Sequence, residues 1–198
     1  MDRYTQKIYT KKGITKEEIF PGEKVLHIGC GNSKLKGAVG IDVLSLSAVD
    51  VVHNLDLMPW PFANESFDVI YAHSVVEHIS DLVAFFDESW RILKPGGRIV
   101  MAVPYFRCVD SFTDPTHKHF FTTRSLDYFL DIPNPLSGYS YSKNKFSRIG
   151  FWYGWPDVSS NALVRLFKNF ITSHSTFYDQ YLSLLFPVKI LVWELQKK

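Results

Sequence analysis

Sulfur is scarce in this sequence: two cysteines, Cys30 and Cys108, and three methionines in 198 residues. Two cysteines cannot build a disulfide framework, which excludes a disulfide-stapled secreted fold. No run of 18 or more apolar residues occurs, so no membrane-spanning helix is expected. The opening MDRYTQKIYTKK is polar and basic and lacks the apolar stretch of a secretory signal, so the expected location is cytoplasmic. Repeats, heptads and low-complexity linkers are also missing, and a single domain is expected. Apolar and aromatic residues, by contrast, are plentiful at 46% and 16%, which excludes disorder.

The formal charge of +2 hides an asymmetry. Residues 1–138 hold 14 Lys/Arg against 17 Asp/Glu, net −3, whereas residues 139–198 hold 8 against 3, net +5, together with 14 of the 31 aromatics. A basic, aromatic tail on a slightly acidic body implies either an anionic partner, such as phosphate or a lipid surface, or simply a basic outer face.

Short apolar runs separated by glycine and proline set out a strand pattern. Lys24–Ile28 (KVLHI), ended by Gly29, predicts a first buried strand; Ala38–Val43, Asp50–His53 and Phe67–Ala72 (FDVIYA) predict three more. Asp81–Leu93 carries Leu82, Phe85, Phe86, Trp90 and Leu93 at helical spacing, with Ser80 placed to cap it and Lys94-Pro95-Gly96-Gly97 to stop it. Arg98–Val103 (RIVMAV), closed by Pro104, is the fifth strand. This alternation predicts an α/β fold of Rossmann-like type, a doubly wound, mostly parallel sheet with helices on both faces. Ligands of such sheets bind outside the carboxyl ends of the strands, which singles out Gly29–Asn32, Asp42, Asp56-Leu57, His73-Ser74 and the segment after Pro104.

His27-Ile28-Gly29-Cys30-Gly31-Asn32 is a glycine turn directly after a strand, where missing side chains let a ligand approach the backbone. A G-x-G alone is weak. The dinucleotide fingerprint needs a further glycine where Lys34 stands and an acid about 20 residues on, whereas Asp42 lies only 13 beyond Gly29. A crossover helix barely fits in that interval. An adenosine cofactor without phosphates is therefore favoured over one whose pyrophosphate sits on a helix N-terminus.

On these residues the chain resembles the class I S-adenosylmethionine-dependent methyltransferases of the broad small-molecule type. VLHIGCGN (Val25–Asn32), GIDV (Gly40–Val43), NLDLMPWPFANESFDVIYAHSVVEHI (Asn54–Ile79) and RILKPGGRIVMAVP (Arg91–Pro104) carry the resemblance, over about Glu23–Pro104. It implies S-adenosylmethionine as cofactor, held by the loop Gly29, Cys30, Gly31 and Asn32, with the first three along its methionine part. Asp42, with Val43 beside it, would accept hydrogen bonds from the ribose, Asp56 would meet the adenine amino group, and Leu57 would lie beside the ring. His73 and Ser74 would close the pocket, and Glu77-His78 matches a recurring signature just beyond. Ser33 departs from the family, which usually has a third glycine there and a longer first helix. A subgroup that reads G-C-G-N and runs almost directly into the second strand, often associated with surface-polysaccharide synthesis, resembles this chain more closely. Read from the residues alone, His27 is a satisfied core histidine and Cys30 a packing residue.

After the fifth strand, Asp114-Pro115-Thr116-His117-Lys118-His119 places one carboxylate and two imidazoles on a loop at the ligand edge. Transfer from a sulfonium to an alcohol needs a base near neutral pH, so His117 or His119 is the candidate base, with Asp114 orienting it or binding substrate. Two other readings stay open. D-x-x-H-x-H offers an oxygen and two nitrogens to a metal, but the spacing fits no specific metal motif and alternating side chains of an extended loop diverge, so no metal is expected. Alternatively the segment is an Asp-Pro turn before a helix capped by Thr122 or Thr123.

The expected acceptor is a hydroxyl of a small molecule, a glycan or a lipid-linked sugar. Nucleic acid is not an expected partner, because no Asn-Pro-Pro-Tyr-like loop and no strongly basic recognition module occur. The alternative is a methyltransferase-fold binding or scaffold protein without catalysis. Phe151-Trp152-Tyr153-Gly154-Trp155 reads as the core of a late hairpin in preference to a platform for sugar rings. Tyr181–Leu195 is almost wholly apolar but too short to span a bilayer; it reads as a helix, kinked at Pro187, that lies on a membrane, on the body or on a second subunit in a homodimer. The resulting map is an arm at 1–22, a cofactor half at 23–104, an acceptor side at 105–160 and a helical tail at 161–198.

Overall fold

Val25–Ile28 forms strand β1, buried at all four positions, as a strand covered on both faces must be. The computed structural model describes residues 20, 22–132, 141–155 and 162–198; apart from Phe20 and Gly22, the arm expected at 1–22 lies outside them. β1 pairs in parallel with β2 (Val39–Asp42) on one side and β4 (Phe67–His73) on the other. The two-residue β3 (Val51–Val52) extends the sheet beyond β2, and β5 (Leu93–Pro104) runs parallel to β4. Strand β7 (Ile190–Lys197) then pairs antiparallel with both β5 and β6 (Phe146–Tyr153). The order is β3-β2-β1-β4-β5-β7-β6.

The tail differs from the helix expected of it. After the one-turn helix α2 (Asp110–Thr113) beyond β5, the tail begins with helix α3 (Ala162–Ser173), the short α4 (Ser175–Phe177) and a π-helical turn at Tyr178–Leu182, and the last apolar run is strand β7. Pro187 cannot continue a helix. Leu191, Val192, Trp193 and Leu195 are fully buried, as the side chains of a strand covered on both faces are. Trp152 and Tyr153 pair with Val192 and Leu191, so the aromatic cluster belongs to this antiparallel pair.

Helix α1 (Leu82–Ile92) buries Phe85, Phe86 and Ile92 on the sheet. Its cap is Asp81, whose carboxylate accepts the N–H groups of Val83 and Ala84 at 2.8 and 3.0 Å; Ser80 is engaged elsewhere. The chain passes from α1 into β5 without a gap. Leu93 pairs with Phe67 and Arg98 with Val69, so Lys94–Gly97 bulge outward, with Gly96 at φ +75°. No helix follows Thr122 or Thr123: a 3₁₀ turn at Asp127–Phe129 stands there, and the Thr123 hydroxyl is spent on Asp179 at 2.6 Å.

Among the described residues the helices pack on one face, where Phe85, Phe86, Ile171 and Tyr178 meet Ile28, Ile70, Met101 and Trp193. Phe20, Leu35, Ala38 and Trp155 cover the other face. The link 29–38 is built of turns, because it is too short for a crossover helix. Two polar knots tie distant parts of the chain together. Asp179 accepts the hydroxyls of Tyr105 and Tyr153 at 2.7 Å each, and Arg98 binds Glu23 at 2.6 and 2.8 Å and Glu194 at 2.8 Å.

His27 is a satisfied core histidine: it is buried, and its Nδ1 accepts the Leu35 N–H at 3.1 Å. Burial, helped by His73 and opposed by Asp42, lowers its pKa to about 4. Unfolded His27 takes a proton below about pH 6.5, whereas the folded residue stays neutral down to about pH 4. Its stabilisation is therefore complete above the unfolded value and lost as pH falls through this window. Urea denaturation is expected to show the wild type losing up to about 3 kcal/mol more than His27→Gln across that window. Equal losses would remove His27 from the acid response.

Candidate active site

The carboxyl ends of β1, β2 and β4 border a cleft, as expected for a sheet whose strand order diverges from β1. Gly29, Asp42, Val43, Asp56, Ser74 and His78 line it, all singled out by the sequence. Sequence reasoning missed His53, Asn54, Leu55, Val75 and Ile79, which also line it. The first three follow the end of β3, so the strand-end rule that found Asp42 also reaches them. Cys30, Gly31, Asn32, Leu57 and His73 do not line the cleft. Cys30 is buried beneath Gly40, Asn32 and Leu57 are exposed, and His73 sits edge-on to Trp155 at 5.9 Å with burial lowering its pKa.

The glycine turn is shaped by its backbone. Gly29 and Gly31 have φ of +61° and +48°, a region glycine reaches at least cost. A Cβ on Gly29 would lie 2.5 Å from Val75 Cγ2, so Gly29 lets the turn pack on the segment after β4. A Cβ on Gly31 would meet nothing within 4 Å, which leaves an open approach to the backbone. Asp42 secures the turn from β2: its Oδ2 accepts the Gly31 N–H at 2.9 Å and its Oδ1 the Leu44 N–H at 3.0 Å. An ionised carboxylate offers about four acceptor sites, so capacity remains for donors in the cleft.

Asp56 is more committed. Its carboxylate accepts the Ser80 N–H at 2.7 Å and the Ser80 hydroxyl at 2.6 Å, and Lys118 Nζ lies 3.3 Å away. Burial pushes its pKa up, but the Ser80 hydrogen bonds and the Lys118 ammonium outweigh this and hold it below the usual value. Asp56 thus bridges the cleft to the loop that follows β5.

That loop lines a second cavity beside the first. Ser74 and His78 border both; Glu77, Pro104, Asp114 and His117 belong to the second. The backbone N–H groups of Lys118 and His119 donate to the Glu77 carbonyl at 2.8 and 3.2 Å, which holds the loop over the 3₁₀ turn Val76–His78. Asp114 does not orient His117. It accepts both the N–H and the hydroxyl of Thr116, at 2.8 and 2.6 Å, as a turn former. Of the two histidines weighed as base, His117 faces the cavity, whereas His119 does not line it and its buried Nε2 has no partner.

Glu77 was noted in the sequence only as part of a signature, yet it is the most perturbed acid of this site. It is 1% exposed, neither carboxylate oxygen has a hydrogen-bond partner, and His117 Nε2 lies 3.9 Å from Oε1. Burial pushes its pKa up to about 7, with nearby His117 opposing. A carboxyl that titrates near neutrality beside a cavity marks a functional centre.

Residues 26–101 match a family model described as a methyltransferase domain. The chain is 30% identical to phosphoethanolamine N-methyltransferase 1 of Arabidopsis thaliana over 117 residues, 47% of this chain and 23% of that protein. It is 32% identical to cycloartenol-C-24-methyltransferase of the same plant over 101 residues, 39% and 30% of the two chains. The match thus spans less than a third of the length of either relative. By fold, the chain is similar to an S-adenosylmethionine-dependent methyltransferase of Mesorhizobium loti, with a TM-score of 0.55 at 15% identity over 89% of this chain and 91% of that one. One from Archaeoglobus fulgidus also has a TM-score of 0.55, at 19% identity over 90% and 88%.

Residues 26–101 thus match a methyltransferase-domain model, and the chain has the fold of solved S-adenosylmethionine-dependent methyltransferases. The open glycine turn and the Asp42 carboxylate fit S-adenosylmethionine as a ligand of the cleft.

Replacing Asp42 with Ala is expected to weaken binding of S-adenosylhomocysteine by about 1–3 kcal/mol, through loss of charge-assisted hydrogen bonds. Calorimetry on variants with unchanged circular dichroism measures this. Unaltered affinity would confine Asp42 to holding the turn.

Proposed function

We propose that the chain transfers the methyl group of S-adenosylmethionine to a hydroxyl of a small molecule, a glycan precursor or a lipid-linked sugar. The observation that carries this reading is the meeting of two cavities at Ser74 and His78, with Glu77 and His117 on the side away from the glycine turn. In-line displacement at a sulfonium methyl needs cofactor and acceptor on opposite sides of the carbon, and adjoining cavities satisfy that need. A hydroxyl must also shed its proton as the new bond forms. His117 supports this step: its Nδ1 lies 2.8 Å from the Ser111 carbonyl oxygen, which can only accept, so Nδ1 carries the proton and the lone pair falls on Nε2. The two plant relatives act on nitrogen and carbon, and those acceptors are the competing outcomes.

The test is calorimetry with S-adenosylmethionine and S-adenosylhomocysteine, followed by turnover. His117→Ala is expected to lower turnover by roughly 10²-fold with cofactor affinity nearly unchanged. No binding of either compound at millimolar concentration would overturn the reading and leave a scaffold protein of this fold. Full turnover in His117→Ala would place the base elsewhere.

A lipid-linked acceptor is favoured by the surface of the C-terminal segment. Leu163, Leu166, Leu184 and Leu185 are each 65% exposed or more, and the rings of Phe167 and Phe186 join helix α3 to the 183–186 turn at 5.6 Å. Such a patch on a basic segment suits an anionic membrane surface. No helix among the described residues is long and apolar enough to cross a membrane. Flotation with anionic vesicles is expected to carry the wild type upward and to leave a Leu166→Ser, Leu184→Ser, Leu185→Ser variant behind. A monomeric wild type that stays with the soluble fraction would end the membrane reading, and dimerisation lost in the variant would assign the patch to a second copy.

A further inference from the structure

We propose that Glu77, His78 and His117 bind one divalent transition-metal ion, of the zinc, iron(II) or manganese kind, which also takes the oxygen of the acceptor. One ligand atom from each residue can be chosen so that all lie within 4.8 Å of one another. This set differs from the D-x-x-H-x-H pattern in the sequence, because Asp114 serves as a turn former and His119 lies off the cavity.

Glu77 is buried, and both of its oxygens lack a donor, an arrangement that costs free energy unless a cation completes it. The lone pair of His117 falls on Nε2, 3.9 Å from Glu77 Oε1, because its Nδ1 is held by the Ser111 carbonyl. His78 is set in the same way. The Thr116 hydroxyl lies 2.6 Å from Asp114 Oδ1 and 2.9 Å from His78 Nδ1. Its single proton goes to the carboxylate, so it accepts from His78 Nδ1–H and leaves the His78 lone pair on Nε2. Two imidazoles and a carboxylate thus come together as acceptors, with their ring tautomers fixed from outside by a carbonyl and by a hydroxyl backed by a carboxylate. Hydrogen-bond partners of this type orient the histidine ligands of metal ions.

Three such ligands with positions left open are the donor set of catalytic zinc and of non-haem iron(II) sites. His78 borders both cavities, so an ion here stands where an acceptor entering the second cavity faces the cofactor in the first. Its role rests on the methyl-transfer reading; its binding does not. Coordinated to the ion, the acceptor hydroxyl loses its proton to water in the open cavity. The oxygen then forms a bond to the methyl carbon as the carbon–sulfur bond breaks, and that electron pair stays on sulfur, turning the sulfonium into a thioether. In this state His117 is a ligand, and the cation acidifies the hydroxyl.

The test is a titration of the full chain, stripped with a chelator and dialysed, with Zn²⁺ and with Mn²⁺ by calorimetry and thermal unfolding. One ion per chain and a rise in Tm are expected for the wild type, and both are expected to be lost in Glu77→Gln and His117→Ala. Thr116→Val, which leaves all three ligands in place, should weaken binding about 10-fold or more. If Glu77→Gln proves unstable, His117→Ala and Thr116→Val carry the test. Absence of binding by the wild type at millimolar metal, or unchanged binding in the ligand variants, would overturn the proposal and leave a proton as the cation of this cluster. Titration of the same preparations with S-adenosylhomocysteine separates the two readings. Cofactor binding without metal binding overturns the metal site alone, whereas failure to bind the cofactor overturns methyl transfer.

Discussion

The antiparallel pairing of β5 with β7 is the contact on which the C-terminal half of this molecule depends. It runs from Arg98 opposite Gln196 to Pro104 opposite Ile190, across almost a hundred residues of chain. β6 reaches the sheet only through β7, so the order β5-β7-β6 exists because the last strand enters between the other two. The Tyr105 N–H continues the pairing by donating to the Lys189 carbonyl at 2.9 Å, and the Tyr105 hydroxyl reaches Asp179. From there Phe106 donates to the Phe121 carbonyl at 3.0 Å, which closes the loop carrying His117 back on itself. A buried antiparallel strand thus sets where the second cavity lies.

The two cavities are coupled through backbone and charge. The Glu77 carbonyl accepts from Lys118 and His119, so the residue whose side chain faces the second cavity also anchors the loop above it. Lys118 carries this further, donating to Ser80 at 2.6 Å and lying near Asp56 in the first cleft. The loop after β5 is thus tied by hydrogen bonds and charge to both cavities.

Much of the half of the sheet around β1, β2 and β4 was legible because its signals are local. The glycine turn, the acid at the end of β2 and the small polar residue after β4 each follow a strand directly, and strand ends are where a parallel sheet binds ligands. Gly29, Asp42 and Ser74 were found on that rule. Cys30 and His73 follow the same rule and yet turn away from the cleft: a residue next to a strand end can point to either side, and here packing under Gly40 and against Trp155 decided it. Ser80 failed as a cap for a related reason, since Asp56, distant in sequence, had already taken its hydrogen bonds.

By itself the sequence determined the α/β class, the five parallel strands, the helix Leu82–Ile92 and the ligand edge, because hydrophobic period and glycine placement act over a few residues. Only the tertiary structure decided that Ile190–Lys197 is a strand, since a short run apolar on every side suits a buried helix and a buried strand equally until its neighbours are known. Likewise, Asp114, His117 and His119 looked equivalent as a cluster, and the fold separated them. It made Asp114 a turn former, turned His119 away, and brought His117 to Glu77 and His78, about forty residues earlier in the chain. A site of that kind is written in the distance between segments, which no local pattern records.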